Sequence, residues 1–285
     1  MTRRTFIGAM TLAMTNITDA SAHLNEVLPL TETMPLLFMG HGYPMNAIED
    51  NIYSRSWREM ASTLPKPKAI ICVSAHWETN GTFITAMKSP RTIHDFSGFP
   101  QALFDVQYPA SGSPELAHET AKEITKTQVG LDEEWGLDHG TWSVLLPMYP
   151  KADIPVLQLS IDKTKPASYH YELAGELAKL RERGVLIIGS GNIVHNLRML
   201  NFESKPYDWA IEFDEYVKKN ILSGDYTALI EYEKLGTAAK LSVPTNEHYL
   251  PMLYTLGLTG KNEEVSFFNE GVVLGSASMR SFVVK

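Results

Sequence analysis

From Met34 onward the chain alternates short β-branched or apolar runs with amphipathic segments, and no other feature restricts the possible folds as much. A short apolar run suits a strand buried on both faces, and an amphipathic segment suits a helix laid against it, so the pattern predicts an α/β protein. The candidate strands are Leu36–Met39, Ala69–Ser74, Pro155–Ser160, Val185–Gly189, Val265–Phe268 and Met279–Val284. The candidate helices are Tyr53–Thr63, Pro114–Thr127, Ala167–Arg183, Tyr207–Leu222 and His248–Leu256. The clearest lies in "SYHYELAGELAKLRERG", where Tyr169, Leu173, Leu177 and Leu180 recur at helical spacing and Gly184 supplies a stop. No repeat, low-complexity tract or Pro/Gly-rich linker divides the chain. Its 285 residues, 44% of them hydrophobic, are enough for one large core, so a single domain is the simplest organisation.

Charge excludes one class of partner. The net charge is −8, and the marked Lys/Arg cluster is the pair near the N-terminus, so the electrostatic footprint of a nucleic-acid binder is missing. That pair, Arg3 and Arg4, precedes a short, weakly apolar stretch and the small-residue segment Ala20-Ser21-Ala22, which resembles a twin-arginine export signal and predicts a periplasmic protein; the alternative is an incidental tail on a cytoplasmic one. The stretch is too short and polar for a membrane anchor. Residues 1–30 are therefore set apart as a signal or tail, and 31–285 as the folded domain. The single cysteine, Cys72, lies inside an apolar run and reads as a buried thiol that can form no intrachain disulfide.

The histidines fall in a pattern on this map. His41 follows the first strand in "GHGYP", His76 follows the second in "SAHWET", and His195 comes after the fourth in "GSGNIVHNL". The C-terminal ends of strands in open α/β sheets are where ligands bind. Gly40 and Gly42 would let the backbone turn sharply, so that the His41 ring projects beyond the sheet. His248, beside Glu247 in "PTNEHYLP", stands at the start of a helix. Such a set serves metal binding: two histidines with a carboxylate suit non-haem Fe(II), whereas three histidines with a water suit zinc. No local zinc motif such as HExxH is present, and spacing alone leaves the metal open.

The segments "GHGYPMNAIEDN", "SAHWET", "TIHDFSGFP", "YPASGSPELA", "GLDHGTWSVLLPMYP", "IPVLQLSID", "GSGNIVHNL" and "PTNEHYLPMLYTLG" occur in an order and spacing that resemble the DOPA 4,5-dioxygenase-like extradiol ring-cleaving dioxygenases, within the larger class III group. The resemblance spans nearly everything from Met34 to Val284. It implies a single α/β domain with a central mixed sheet flanked by helices and a metal site at the sheet edge. It also implies a small aromatic diol and O2 as substrates, with Fe(II) as the working metal and Zn(II) as a possible occupant. The metal histidines it implies are His41, His76 and His248, with His195 as fourth ligand or base, and His139 of "LDHG" as a second proton-transfer or substrate-binding residue. Because the third ligand in the wider group is a glutamate, Glu247 rivals His248. The alternatives to a dioxygenase are a zinc-dependent hydrolase and a non-catalytic metal-binding protein on the same fold.

Other residues carry less specific expectations. Trp77 and Trp142 serve the core or stack on an aromatic ring. His94 lines the substrate pocket or hydrogen-bonds Asp95 or the backbone, while His118 and His170, at polar helix positions, face solvent.

Overall fold

A computed structural model describes residues 28–203 and 205–285. The arginine pair, Ala20-Ser21-Ala22 and His23 lie outside the described residues. The strands are β1 (Leu36–Gly40), β2 (Ala69–Thr79), β3 (Thr82–Thr85), β4 (Val129–Asp132), β5 (Val156–Asp162), β6 (Val185–Gly191), β7 (Val265–Phe268), β8 (Val272–Val273), β9 (Ala277–Ser278) and β10 (Ser281–Val284). Eight of them form one mixed sheet in the order β4-β3-β5-β2-β6-β1-β10-β7, and β8 pairs with β9 separately. The central four, β5, β2, β6 and β1, are parallel, and β10 and β7 add antiparallel pairings at one side.

Both faces of the central strands are buried, which is why they read as continuous apolar runs. Period-two alternation divides their side chains between two layers. Leu36, Phe38, Ile71, Val73, Val185 and Ile187 belong to one layer, which also holds residues of the helices Pro114–Glu123, Ala167–Ala174, Asp208–Ser223 and Leu250–Gly257. Leu37, Met39, Ile70, Cys72, Leu186 and Ile188 belong to the other, with Trp57 of helix Ile52–Thr63 and Trp142 of helix His139–Met148. No helix among the described residues is long and apolar enough to cross a membrane.

The departures from the expected elements have local causes. The long helix expected over 167–183 is interrupted by a 3-10 turn at Gly175–Leu177, where glycine has little helical preference to oppose the tightening. The helix expected to reach Thr127 stops at Glu123, because Ile124 turns into extended backbone. β2 runs on to Thr79 through a register shift between Val73 and Glu78, so His76 lies within the strand, in its irregular stretch, and not beyond its end. Helix His139–Met148 was not expected at all: nine of its ten residues are buried, so it has no polar face, and Pro147 inside it reads as a stop.

Candidate metal centre

Each histidine is held at its place by backbone. His41 follows β1 directly, where Gly42 has φ +56 and a Cβ on Gly40 would come within 2.7 Å of the Met279 carbonyl; larger residues would open this turn. His248 precedes helix Leu250–Gly257 and is laid on the end of β6: its carbonyl accepts the Asn192 N–H at 2.8 Å, and a Cβ on Gly191 would stand 2.1 Å from that oxygen. His195 donates its backbone N–H to Ser242 and bridges to Ala277. His139 is the first residue of its helix, behind the N-cap Asp138. The Asp138 carboxylate is fully buried but accepts from Ser74 Oγ, Thr141 N, Gln158 Nε2 and Trp135 Nε1, and such satisfaction is what makes a buried carboxylate tolerable.

These placements gather all five rings. One ligand nitrogen from each of His41, His76 and His139 lies within 4.8 Å of the others, and so do one nitrogen each from His195 and His248 and a carboxylate oxygen of Glu247. The Nδ1 atoms of His41, His76, His139 and His248 lie beside oxygen atoms. Ser190 Oγ donates to the Gly140 carbonyl at 2.5 Å, so it accepts from His41 Nδ1 at 3.0 Å. The His248 Nδ1–H donates to Glu247 Oε1 at 2.9 Å, and that oxygen also accepts from Thr245 at 3.0 Å. His76 Nδ1 is 3.1 Å from Asp95 Oδ2; His139 Nδ1 is 3.0 Å from Oδ1, in a close contact and not a straight hydrogen bond. Hydrogen on Nδ1 leaves the Nε2 lone pair free, the arrangement typical of a metal-binding histidine.

Burial, reinforced by the neighbouring rings, holds His41 and His248 well below the usual histidine range. Burial likewise lowers His139, against the pull of Asp95, and pushes His195 down to about 4, against the pull of Glu247. For His76 burial is outweighed by Asp95, Asp138 and Glu247, and its pKa is raised. Burial would raise Asp95, but His139 and His76 beside it hold it well below the usual carboxylate range.

A metal fits this donor set. Nε2 of His41 and Nε2 of His76 are 3.3 Å apart, two lone pairs that face one another when both Nδ1 atoms are protonated. The ring centroids of His41, His76 and His248 are 5.1, 5.3 and 5.0 Å apart pairwise. Metal–nitrogen bonds of about 2.0–2.1 Å at tetrahedral angles would separate such centroids by about 5 Å. The other two rings depart from that spacing: His139 is 3.8 Å from His76, and His195 stacks on His248 at 3.4 Å with planes 12° apart.

The chain matches the model of the catalytic LigB subunit of aromatic ring-opening dioxygenase over residues 36–277. It belongs to that family. It is 50% identical to the 4,5-DOPA dioxygenase extradiol of Escherichia coli K12 over 266 residues, covering 90% of this chain and 97% of the relative. It is 38% identical to the protein of the same name from Beta vulgaris, over 86% of this chain and 94% of the relative. The crystal structure of an uncharacterized protein from Escherichia coli K12 superposes with a TM-score of 0.78 at 46% identity, covering 88% of this chain and all of that one. The chain is accordingly an extradiol dioxygenase of the LigB family, and the matched span holds the five clustered histidines, Asp95 and Glu247.

Around this LigB-type centre stand residues with mixed outcomes. Trp142 is fully buried and donates Nε1–H to the Ile93 carbonyl at 2.8 Å; Trp77 is buried and stacks on Trp135. His94 bonds the Val106 carbonyl at 3.0 Å and packs against Phe96, Phe104 and Trp142. His118 is exposed, but His170 does not face solvent: it is fully buried, with Nδ1 3.0 Å from the Tyr254 hydroxyl, because its helix packs against Leu250–Gly257 on the side that carries it. Sequence reasoning missed Ser190 and the contact of Asp95 with two rings. The acidic residue within "TIHDFSGFP" was the available signal for the second, and Ser190, a polar residue in an apolar strand, for the first.

Proposed function

We propose that the chain opens a catechol-type ring beside its two hydroxyls with Fe(II) held by His41, His76 and His248, and with His195 as the base. The observation that carries this is the near-equal spacing of those three rings, each with Nδ1 against an acceptor. Bound there, Fe(II) supplies the redox centre through which an aromatic diol and O2 exchange electrons. Glu247 supports His248 as the third ligand, since its carboxylate is engaged by His248 Nδ1 and Thr245.

His195, neutral at ordinary pH because burial lowers it, offers a lone pair for a substrate hydroxyl proton beside the three rings. His139, neutral for the same reason and held at its helix start, is placed to hydrogen-bond the substrate. Phe96, 5.5 Å from the His139 ring, and Phe99, 5.3 Å from Tyr43, supply aromatic surface for a planar substrate. The names of the Escherichia coli and Beta vulgaris relatives favour DOPA or a similar diol. Anaerobic reconstitution with Fe(II), followed by oxygen uptake on a panel of catechols including DOPA, tests the reading; a yellow ring-opened product is expected, and no uptake with any catechol would overturn it. Zinc in the purified protein would not count against iron, because zinc outcompetes Fe(II) at such ligands.

The Arg3-Arg4 pair and Ala20-Ser21-Ala22 support export of the folded, metal-loaded protein. Mature protein from the native host would then begin near His23, and an intact Met1 on cytoplasmic protein would show the pair to be incidental.

A further inference from the structure

Asp95 lies in the loop between β3 and the helix Gln101–Phe104, and its side chain meets residues remote from it in sequence. Oδ2 is 3.1 Å from Nδ1 of His76. Oδ1 accepts the backbone N–H of His139 at 2.9 Å and lies 3.0 Å from its Nδ1. We propose that Asp95 is a positioning residue, whose carboxylate keeps the His76 ring protonated on Nδ1 with Nε2 turned to the metal while anchoring its loop to the start of helix His139–Met148. This rests on the reading of His76 as a ligand. The same loop carries Phe96 and Phe99, so one carboxylate joins a metal ligand to the aromatic surface offered to the substrate.

The donor pattern explains why a carboxylate is needed. Three N–H groups converge on it when both rings carry hydrogen on Nδ1, and only an acceptor-only group can face them all. In Asp95→Asn, nearly unchanged in size, the amide oxygen must stay with the His139 backbone N–H, which cannot reverse its polarity. The NH2 group then faces His76 Nδ1, which can accept only if the ring moves its hydrogen to Nε2, the atom the metal needs. A residue that merely anchored the loop would tolerate this change.

Zinc affinity of the full-length protein, measured by chelator competition alongside circular dichroism, separates these cases. Asp95→Asn should fold as wild type and bind zinc about 10–100-fold more weakly, the usual cost of disturbing a residue that orients a ligand; His76→Ala should lose more. Wild-type affinity in Asp95→Asn, with binding lost in His76→Ala, would overturn the role of Asp95 and leave the metal site standing. Wild-type affinity in a folded His76→Ala would overturn the site reading itself. Should Asp95→Asn fail to fold, nitrogen NMR of the zinc-loaded wild type decides: hydrogen on His76 Nδ1 with zinc on Nε2 is expected, and zinc on Nδ1 would overturn the proposal.

Discussion

Two buried polar clusters lie at opposite extremes of completeness. In one, the guanidinium of Arg280, 2% exposed, meets Asp214 through Nε at 2.8 Å and through an amino nitrogen at 2.5 Å, with Glu215 and Glu270 as further partners. Ser278 donates to the other Asp214 oxygen at 2.6 Å, and the cluster ties the C-terminal strands to helix Asp208–Ser223. Donors and acceptors match, and no external ligand is called for. In the histidine cluster Nδ1 of His41, His76 and His248 each faces an oxygen, whereas Nε2 of His41 and Nε2 of His76 are directed at each other. Burial alone therefore does not mark a candidate site; two facing ring nitrogens do, because a cation between them would satisfy both lone pairs when both Nδ1 atoms carry hydrogen.

Removing ligands should break this contrast most visibly. His41→Ala or His76→Ala is expected to lose most bound metal while circular dichroism stays that of a folded protein, and full occupancy in either folded variant would remove the residue from the site. His195→Gln should keep metal and catechol binding but slow turnover about 10²–10⁴-fold, the usual worth of a positioned base. Single-turnover rates and metal content on the same sample check this. A fall in metal affinity first would make His195 a ligand, and near wild-type turnover would pass its role to His139.

The Arg280 cluster should respond the opposite way. Arg280→Met strands Asp214, itself 2% exposed, and should cost roughly 3–5 kcal/mol in denaturant unfolding without changing metal content. Most of this comes from Asp214, because Glu215 and Glu270 are 58% and 41% exposed and such pairs contribute little. Loss of metal at retained stability would erase the distinction between the clusters.

His170 sharpens the contrast by a smaller effect. Burial pushes its pKa down to about 4 from an ordinary 6.5, so between those values the unfolded chain binds more protons than the folded one. Its contribution is intact above pH 6.5 and is lost as pH falls toward 4, by about 3 kcal/mol for a shift of this size. Unfolding of metal-free wild type and His170→Gln across that window should show the smaller pH dependence in the variant; equal slopes would mean His170 does not titrate as described.

Legibility in the sequence followed from how each part is stabilised. The central strands were readable because burial on both faces leaves apolar runs in β1, β2, β5 and β6. The strands β3 (TFIT) and β4 (VGLD) were missed because each carries only two apolar residues, against three in the equally short β7 (VSFF). His41 and His195 were located by the strands they follow. The helix that begins at His139 was hidden because burial around its whole circumference removes the amphipathic signal. Asp95 and Ser190 stand out locally as polar residues, but their partners are set by folding, across 44 and 149 residues, and no local pattern names them.

The most direct test is a crystal structure of the zinc-loaded protein. Nε2 of His41, His76 and His248 should each lie about 2.0–2.1 Å from one ion, with Glu247 on His248 Nδ1 and His195 stacked on His248 but off the metal. A Glu247 oxygen within about 2.0–2.2 Å of the ion, with His248 turned away, would contradict the three-histidine centre.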